Sequence, residues 1–282
     1  MGNRADTLGI LAGGGTLPRR VAEAASAQGR QVFIVAFTGQ FDPSTVTGFP
    51  HISLRIGEAG RIIAELKKAG VVDLVMAGGV RRPSLSEIGL DWRGVQLFAR
   101  IGAGALGDDG LLAAIGRELE REGFRLLGAR DILESGAAVA GILGRYQPDE
   151  QANADIAHGI YVARALGMVD VGQSVVVQQG LVLGVEAIEG TDALLRRVGP
   201  LGRDGLGGVL VKIAKPQQDR RIDLPTIGPA TVSAASTAGL RGIAIEAGNS
   251  IVLDQAAAIE TADKAGLFLI ALDLKAVEPS QQ

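Results

Sequence analysis

The sequence predicts an α/β protein whose first half forms a parallel sheet and whose second half forms a separate, mixed α/β domain. Short apolar runs alternate with helical patterns from Leu8 to Leu127, as they do in βαβ units. Hydrophobic residues make up 47% of the chain but aromatic residues only 4%, so Val, Ile, Leu and Ala must form the core, as in buried parallel strands. The 282 residues suffice for two domains at roughly 150 residues each.

The first half alternates strands with helices. The predicted strands are Leu8–Leu11, Gln31–Phe37, Val71–Met76 and Phe124–Leu127. The predicted helices are Pro18–Gln28, Arg61–Ala69, Val95–Ala105 and Gly110–Glu122. Gly29 and Gly70 are typical stop signals for the first two helices. Because strands that alternate with helices are parallel, we expect ligands at the carboxyl ends of these strands.

The pattern changes in the middle of the chain. The segment Ser135–Asn153 is rich in Gly, Ala and polar residues, and we predict that it connects two domains, residues 1–133 and 134–282. In the second domain, the apolar runs Ser174–Val177 and Leu181–Ala187 predict a hairpin with antiparallel pairing. Further strands are predicted at Val209–Ile213, Gly242–Glu246, Ile251–Leu253 and Leu267–Leu272, and helices at Ala154–Leu166, Ala193–Val198, Thr231–Ala238 and Gln255–Ala265.

Composition and charge exclude several classes of function. The formal net charge of -3 and the pI near 5.5 provide no broad basic surface, so nucleic acid is not an expected partner. The lack of cysteine excludes disulfides, thiolate zinc sites, iron–sulfur clusters and a cysteine nucleophile. Residues 1–6 lack the apolar core of a signal peptide, and no apolar run approaches the ~20 residues that span a bilayer. We therefore expect a cytoplasmic protein.

A glycine-rich turn follows the first strand. Gly13, Gly14 and Gly15 allow the backbone to turn sharply, and the first N–H groups of the helix after Thr16 carry partial positive charge. These features predict a phosphate site formed by Gly13–Thr16. The alternative is a turn that only connects the strand to the helix.

A second glycine turn follows the strand Val71–Met76. It contains Gly78 and Gly79 and continues into Arg81 and Arg82, whose guanidinium groups can bind phosphate oxygens as a fork. Both turns leave strand ends at the same predicted sheet edge, so Arg82 is a candidate contact to the ligand. Solvated surface charge is the alternative for both arginines.

The first turn departs from the dinucleotide-binding fingerprint. Gly13 and Gly15 match its first two glycines, but Pro18 occupies the position of the third. The strand Gln31–Phe37 also ends without the acidic residue that binds a ribose hydroxyl. These departures disfavour a nicotinamide cofactor.

Acidic residues cluster around two helix starts. Asp108 and Asp109 directly precede a predicted helix, where they either cap the helix or bind magnesium. Glu186, Glu189 and Asp192 surround a turn in the second domain, where either Thr191 or Asp192 simply caps the next helix or the three acids hold a hard divalent cation through oxygen. The sequence leaves both alternatives open at each place.

Asp223 is the strongest candidate for a catalytic acid. It lies between Ile222 and Leu224 in an apolar segment flanked by turns, and a carboxylate buried there would need a metal or cation partner. Upstream, Lys212 and Lys215 supply ammonium groups that can offset phosphate charge.

Several motifs occur in order along nearly the whole chain. Glu189-Gly190-Thr191-Asp192 and Asp223–Gly228 are the most specific. The others are Leu11–Pro18, Gly57–Gly60, Arg82-Pro83, Gly107–Asp109, Glu122–Phe124, Asp170–Gln173 and Glu186–Ala193. The ordered set resembles the UDP-2,3-diacylglucosamine pyrophosphatases of lipid A biosynthesis, of the LpxI type that is unrelated to the metallophosphoesterases.

The resemblance implies a Rossmann-like phosphate- and nucleotide-binding domain at residues 1–133 and a mixed α/β catalytic domain at residues 134–282. It also implies a homodimer, dependence on Mg²⁺, and attack of water on the sugar-side phosphorus, which yields UMP and 2,3-diacylglucosamine 1-phosphate. The aspartate that the family needs for turnover falls on Asp223. The family turn has an Asn near the position of Arg81, and its absence here leaves the contacts of Arg81 open.

Together these features suggest metal-assisted hydrolysis of a diphosphate. Mg²⁺ held by Asp223, with help from Glu189 or Asp192, would bridge diphosphate oxygens and lower the pKa of a bound water. Asp223 would act as a metal ligand or as a general base. The predicted substrate-binding residues are Gly13, Gly14, Gly15, Thr16, Arg82, Thr191, Lys212 and Lys215.

Two other functions stay open on the sequence alone. A nicotinamide-dependent oxidoreductase would use the first turn for pyrophosphate, and a non-catalytic module would bind a nucleotide-sugar without releasing UMP. For the lipid substrate that the resemblance implies, we expect peripheral contact with the cytoplasmic face of the inner membrane.

Overall fold

A computed structural model gives the fold of residues 7–80, 89–101, 108–133 and 138–274. The chain divides into two compact units, Met1–Glu134 with Asp219–Asp223 and Ser135–Gln218 with Leu224–Gln282. We call them unit 1 and unit 2. The boundary between residues 133 and 134 stays a prediction, and the grouping of Asp219–Asp223 with unit 1 is not evident in the sequence.

Unit 1 is built on a five-stranded parallel sheet with the strand order β3-β2-β1-β4-β5. Its strands are β1 (Thr7–Ala12), β2 (Val32–Phe37), β3 (His51–Leu54), β4 (Val71–Ala77) and β5 (Arg125–Leu127). The parallel α/β prediction is confirmed. The strand order reverses between β1 and β4, which is where open sheets of this kind bind ligands.

Helices follow the strands of unit 1 much as the sequence predicts. They are α1 (Leu17–Ala27), α2 (Ala59–Lys68), α3 (Trp92–Ile101), α4 (Asp108–Arg121) and α5 (Ala129–Ile132). The prediction misses β3 because this short edge strand is mostly exposed and lacks an apolar pattern. It misses α5 because so short a helix shows no helical period.

Apolar side chains from the sheet and the helices fill the core of unit 1. Leu54, Leu66 and Leu74 are almost completely buried there. Ile222, from the segment that joins unit 1 late in the sequence, packs into the same cluster. A Cβ added to Gly116 in α4 would lie 2.7 Å from the Cδ1 atom of Ile222, so glycine leaves room for this contact.

A buried carboxylate joins three parts of unit 1. Asp73 in β4 accepts hydrogen bonds of 2.6 Å from Arg30, which precedes β2, and from Arg125, which begins β5. Its side chain is 3% exposed. Burial alone would raise the pKa of the Asp73 carboxyl, but the hydrogen bonds from Arg125 and Arg30 outweigh burial and lower it. The ionised form is therefore the one that stabilises the fold.

We predict a pH-dependent effect of Asp73→Asn on stability. At neutral pH the variant should lose about 2 kcal/mol in the free energy of unfolding, because two guanidinium groups lose their ionic partner. Since the folded pKa lies below that of the unfolded chain, the stabilisation is complete above about pH 4 and disappears as the pH falls through the folded pKa. Urea unfolding between pH 3 and pH 7 measures this difference. A gap between the two proteins that stays constant over this range would contradict the prediction.

Unit 2 contains a six-stranded mixed sheet and a small two-stranded sheet. The strand order of the large sheet is β6-β13-β11-β9-β7-β8, and β10 pairs with β12. The strands are β6 (Gly141–Ile142), β7 (Ser174–Gln178), β8 (Leu181–Val185), β9 (Val209–Lys212), β10 (Thr226–Ile227), β11 (Gly242–Glu246), β12 (Ile251–Val252) and β13 (Phe268–Leu272). Strands β9, β11 and β13 are parallel, whereas β6, β7 and β8 pair antiparallel, which confirms the mixed sheet and the hairpin.

Helices cover both faces of the large sheet. They are α6 (Glu150–Met168), α7 (Thr191–Val198), α8 (Pro229–Thr237) and α9 (Gln255–Ala265). Alternate residues of β9 face opposite layers: Val209 and Val211 pack against α6, and Leu210 packs into the cluster formed with α7, α8 and α9. Within the described ranges, no helix has both the length and the apolar character needed to cross a bilayer.

The segment predicted to connect the domains contains ordered structure in unit 2. Gly141 and Ile142 form β6, which pairs with β13 at the sheet edge. Helix α6 begins at Glu150 rather than at Ala154, because the Asp149 carboxylate accepts a hydrogen bond from the N–H of Ala152 and caps the helix. A two-residue strand is too short to show a period of two.

A carboxylate from α6 holds the β7–β8 turn. Gln179 and Gly180 both have positive φ, 53° and 76°, as a two-residue hairpin of type I′ requires. Asp155 is 1% exposed, and its two oxygens accept hydrogen bonds from the N–H groups of Gln179 at 3.0 Å and Gly180 at 2.7 Å. The turn is thus fixed from outside its own sequence.

We predict that Asp155→Ala lowers the free energy of unfolding by about 2 kcal/mol, because two backbone donors lose a charged acceptor. Thermal and urea unfolding measure the change. Asn153→Ala, at an exposed position of the same helix, serves as the control and should change stability by no more than about 0.5 kcal/mol. Equal stability of the two variants would show that the Asp155 contacts contribute nothing.

Candidate functional site

The two glycine turns of unit 1 are bonded to each other. The N–H of Gly13 donates to the carbonyl of Ala77 at 2.9 Å, and the N–H of Gly14 donates to the carbonyl of Gly79 at 2.7 Å. Gly79 donates back to the carbonyl of Gly14 at 3.1 Å, so the turns form a short antiparallel bridge. Two of the four residues predicted to cradle phosphate therefore already use their backbone donors.

The predicted phosphate site in this turn thus depends on Gly15, Thr16 and the start of α1. Gly15 has a φ of 83°, which favours glycine. Thr16 makes no side-chain cap bond to α1, and the first turn of α1 has no acidic residue, so an anion meets no competing carboxylate there. Arg81 and Arg82 lie outside the described residues, as do Gly107 and the side chains of Asp108 and Asp109. Substrate binding by Gly13–Thr16 and Arg82 stays a prediction.

Gly78 and Gly79 provide a matched pair for testing how tightly the two turns pack. A Cβ on Gly78 would collide with the carbonyl oxygen of Gly14, and the φ of 86° is unfavourable for any other residue. A Cβ on Gly79 would have no atom within 4 Å. We predict that Gly78→Ala costs about 3 kcal/mol in the free energy of unfolding, whereas Gly79→Ala changes it by less than about 1 kcal/mol. Urea unfolding of both variants measures this; equal losses would contradict the close packing.

A buried polar network lies at the carboxyl end of β9 in unit 2. Lys212 is 5% exposed, and its Nζ donates a hydrogen bond of 2.6 Å to Thr191 Oγ1. The Thr191 hydroxyl donates in turn to Glu186 Oε1 at 2.7 Å. Ser174 Oγ lies 3.5 Å from Thr191 Oγ1. The Lys212 Nζ to Glu186 Oε1 distance is 3.9 Å. We call Ser174, Glu186, Thr191 and Lys212 the Lys212 network.

The fold brings this network together from the ends of four elements, β7, β8, β9 and α7. Lys212 ends β9 and pairs in register with Ser174, which begins β7. Glu186 directly follows β8, and its N–H donates to the carbonyl of Ser174 at 2.8 Å. Gly172 permits this approach, since a Cβ there would collide with the Glu186 carbonyl oxygen. Thr191 is the first residue of α7, so its hydroxyl lies at the positive end of that helix.

The Lys212 network leaves hydrogen-bonding capacity unused. Among the described residues, Glu186 Oε2 is buried without a hydrogen-bond partner, and so is Gln173 Oε1 nearby in the sequence. Buried polar atoms without a partner are rare in folded proteins, and each needs a physical explanation. An ammonium group has three donors, and Thr191 accepts one from Lys212. The remaining donors suit phosphate oxygens.

Lys215 occupies a different position from Lys212. Its Nζ lies 2.5 Å from Asp170 Oδ1, and both side chains are largely buried. Asp170 has a positive φ of 55°, which is uncommon outside glycine. Substrate binding by Lys215 stays a prediction, and a phosphate would compete there with a carboxylate. The sequence predicts no separate role for Asp170, although the motif Asp170–Gln173 includes it.

Metal binding by Glu189 and Asp192, the two ligands predicted in unit 2, stays a prediction. Glu189 is exposed, and its Oε1 accepts a hydrogen bond of 2.6 Å from Arg197. This hydrogen bond lowers the pKa of the Glu189 carboxyl. Asp192 is exposed on the first turn of α7. Across the parts of the chain that the structure describes, no group of three His, Asp or Glu side chains is arranged to hold a metal ion.

Asp223 ends the short segment that belongs to unit 1. Its neighbours Ile222 and Leu224 are buried, as the sequence predicts, and Asp223 itself is half-buried. Its N–H donates to the carbonyl of Asp219 at 3.1 Å, which closes a helical turn. The side chain of Arg221 ties this turn to Asp219 and to Glu120 of α4, both at 2.8 Å. These hydrogen bonds raise the pKa of Arg221, which stays charged at every accessible pH.

Two family models together match almost the whole chain. Residues 7–136 match the LpxI N-terminal domain, and residues 139–270 match the LpxI C-terminal domain. A curated relative from Caulobacter vibrioides, UDP-2,3-diacylglucosamine pyrophosphatase LpxI, is 42% identical over 273 residues. The match covers 94% of this chain and 97% of the relative.

Solved structures show weaker similarity. The UDP-glucose-4-epimerase galE of Stenotrophomonas maltophila, with bound NAD and formylated UDP-arabinopyranose, is 18% identical with a TM-score of 0.28, and the match covers 52% of this chain and 40% of that one. The enzyme WbmG of Bordetella bronchiseptica, in complex with NAD and UDP, is 12% identical with a TM-score of 0.31, and the match covers 92% and 94% of the two chains. Such scores carry no argument about ligands. The two family matches and the Caulobacter relative show that this chain belongs to the LpxI family.

Proposed function

We propose that this protein hydrolyses the diphosphate of UDP-2,3-diacylglucosamine to UMP and 2,3-diacylglucosamine 1-phosphate in lipid A biosynthesis. One observation carries the proposal: the 42% identity to a UDP-2,3-diacylglucosamine pyrophosphatase extends over 94% of the chain. A match of that extent includes both units rather than a shared nucleotide-binding half.

The Lys212 network supports binding of a phosphate group. Lys212 Nζ is a buried positive charge at the carboxyl end of a parallel strand, where α/β sheets bind ligands. Its free donors and the helix end at Thr191 favour oxygen atoms that carry negative charge. Because the site is buried, each such contact is stronger than it would be in water.

Asp223 supplies the carboxylate of the proposed reaction. Water attacks the sugar-side phosphorus, the bond from that phosphorus to the bridging oxygen breaks, and UMP leaves with that oxygen. Asp223 either accepts the proton of the attacking water or acts as a metal ligand. A bound Mg²⁺ would supply charge neutralisation at the diphosphate. Asp223 would be one of the residues that hold it through oxygen.

The proposal includes a homodimer and peripheral contact with the cytoplasmic face of the inner membrane. The first follows from the family resemblance of the motifs, and the second from a substrate that carries two acyl chains. Light scattering measures the mass in solution, and flotation with vesicles measures the contact with lipid.

The direct test is incubation with UDP-2,3-diacylglucosamine in detergent micelles, with Mg²⁺ or with EDTA, followed by detection of UMP. Release of UMP supports the proposal, and its loss in EDTA supports the metal. In H₂¹⁸O, attack on the sugar-side phosphorus places the label in 2,3-diacylglucosamine 1-phosphate. Absence of UMP under both conditions would refute the proposed function, and label in UMP would refute the site of attack.

We predict that Asp223→Asn lowers kcat about 100-fold or more, because removal of one charged group at a reacting centre commonly has an effect of this size. Titration calorimetry with the substrate and thermal unfolding should show that binding and folding persist. Asp204→Asn, at an exposed position, is the control and should keep the kcat of the unaltered protein. Turnover of the Asp223 variant at the control rate would remove Asp223 from the mechanism.

A further inference from the structure

We propose that Glu186 is a positioning residue of this site: through the Thr191 hydroxyl, it aims the ammonium group of Lys212 at the phosphate oxygens of the substrate. The inference rests on the proposed function and extends it to a residue that does not itself touch the substrate. It separates Glu186 from the two other acids of the same turn, which the sequence does not distinguish.

The directions of two hydrogen bonds link Glu186 to Lys212 through Thr191. Lys212 Nζ can only donate, so Thr191 Oγ1 accepts at 2.6 Å. The single proton of the hydroxyl then points to Glu186 Oε1, 2.7 Å away. Without this carboxylate oxygen, the hydroxyl proton would be free to rotate toward the ammonium group. Glu186 therefore keeps a lone pair of Thr191 Oγ1, rather than its proton, directed at Lys212 Nζ.

The opposite charges of Lys212 and Glu186 also support the positioning role. The side chains of Lys212 and Glu186 are 7% and 8% exposed, and a buried ammonium group without a counter-charge is costly. At 3.9 Å, Glu186 Oε1 is close enough to offset this cost but too far for a direct hydrogen bond to Lys212 Nζ. The ammonium group is thus stabilised while its remaining donors are kept for a ligand.

The unpartnered oxygen of Glu186 indicates that the arrangement serves a site. A carboxylate retained only for packing would be expected to satisfy both oxygens, yet Oε2 is buried without a partner among the residues that the structure describes. Glu189 shows the contrast, since Arg197 and the N–H of Ala187 both donate to it at the surface. Of these two acids, only Glu186 is buried beside a lysine.

The test compares Glu186→Ala, Glu186→Gln, Thr191→Val and the double variant Glu186→Ala/Thr191→Val by steady-state hydrolysis of UDP-2,3-diacylglucosamine. We expect Glu186→Ala to raise KM about tenfold or more, with a smaller change in kcat, because a binding contact is lost. Glu186→Gln should recover part of kcat/KM, since its amide oxygen still accepts the Thr191 proton although the counter-charge to Lys212 is lost.

The double variant is decisive for a positioning role. Both single changes act through Lys212, so the double variant should be no more impaired than the worse single variant. If the fold losses in kcat/KM of the two single variants multiply in the double variant, the proposal is wrong. It is also wrong if Glu186→Gln is as impaired as Glu186→Ala. Glu260→Gln, at an exposed position of α9, is the control and should keep the unaltered kcat/KM.

A binding measurement that needs no turnover separates this inference from the proposed function. Calorimetric titration with UDP should show Kd raised about tenfold in Glu186→Ala and in Lys212→Ala, and unchanged in Glu260→Gln. Thermal unfolding of Glu186→Gln confirms that the network position tolerates the change. A protein that binds UDP in this pattern but releases no UMP refutes the proposed function alone. Equal UDP affinity of Glu186→Ala and the unaltered protein refutes the positioning role.

Discussion

Parallel strand pairing is the constraint on which both units depend. Parallel strands end at one edge of a sheet, so the residues that follow them meet even when they lie far apart in the sequence. In unit 1 this brings Gly14, after β1, against Gly79, after β4. In unit 2 it sets Lys212 at the end of β9 beside Ile245 of β11, and the antiparallel strand β7 starts with Ser174 at the same edge. Neither arrangement can form unless the strands that precede these residues are paired.

The two edges use their polar groups in different ways. In unit 1, backbone donors and acceptors of the two turns satisfy each other, and side chains take no part in the bridge. In unit 2, the corresponding edge is occupied by side chains, and Lys212 Nζ and Glu186 Oε2 are buried with capacity left over. Satisfied backbone contributes rigidity, whereas a partly satisfied buried network is costly unless a further partner completes its hydrogen bonds. The glycine turn, which is the more conspicuous sequence motif, therefore offers a ligand fewer free groups.

Local patterns predict most of the fold, and their failures have a common cause. The bounds of β11 (Gly242–Glu246) and α9 (Gln255–Ala265) agree with the prediction because each is an uninterrupted pattern between turn residues. The edge strands β3 and β6 are missed because hydrogen bonds to distant strands, rather than their own residues, define them. The grouping of Asp219–Asp223 with unit 1 likewise depends on Ile222 packing among residues far away in the sequence.

The candidate site, like the edge strands, depends on contacts between distant residues that the sequence alone does not reveal. The sequence puts Glu186, Glu189 and Asp192 in one turn and treats them alike. The structure separates them through the alternation along β8: Val185 packs on the side of α6, so the next residue faces the opposite side, where α7 begins. Glu189 lies beyond the strand and meets Arg197 at the surface. Glu186, the acid that the sheet buries, has a lysine and a hydroxyl as neighbours. The strength of its electrostatic interaction with Lys212 depends on burial, which no sequence motif encodes.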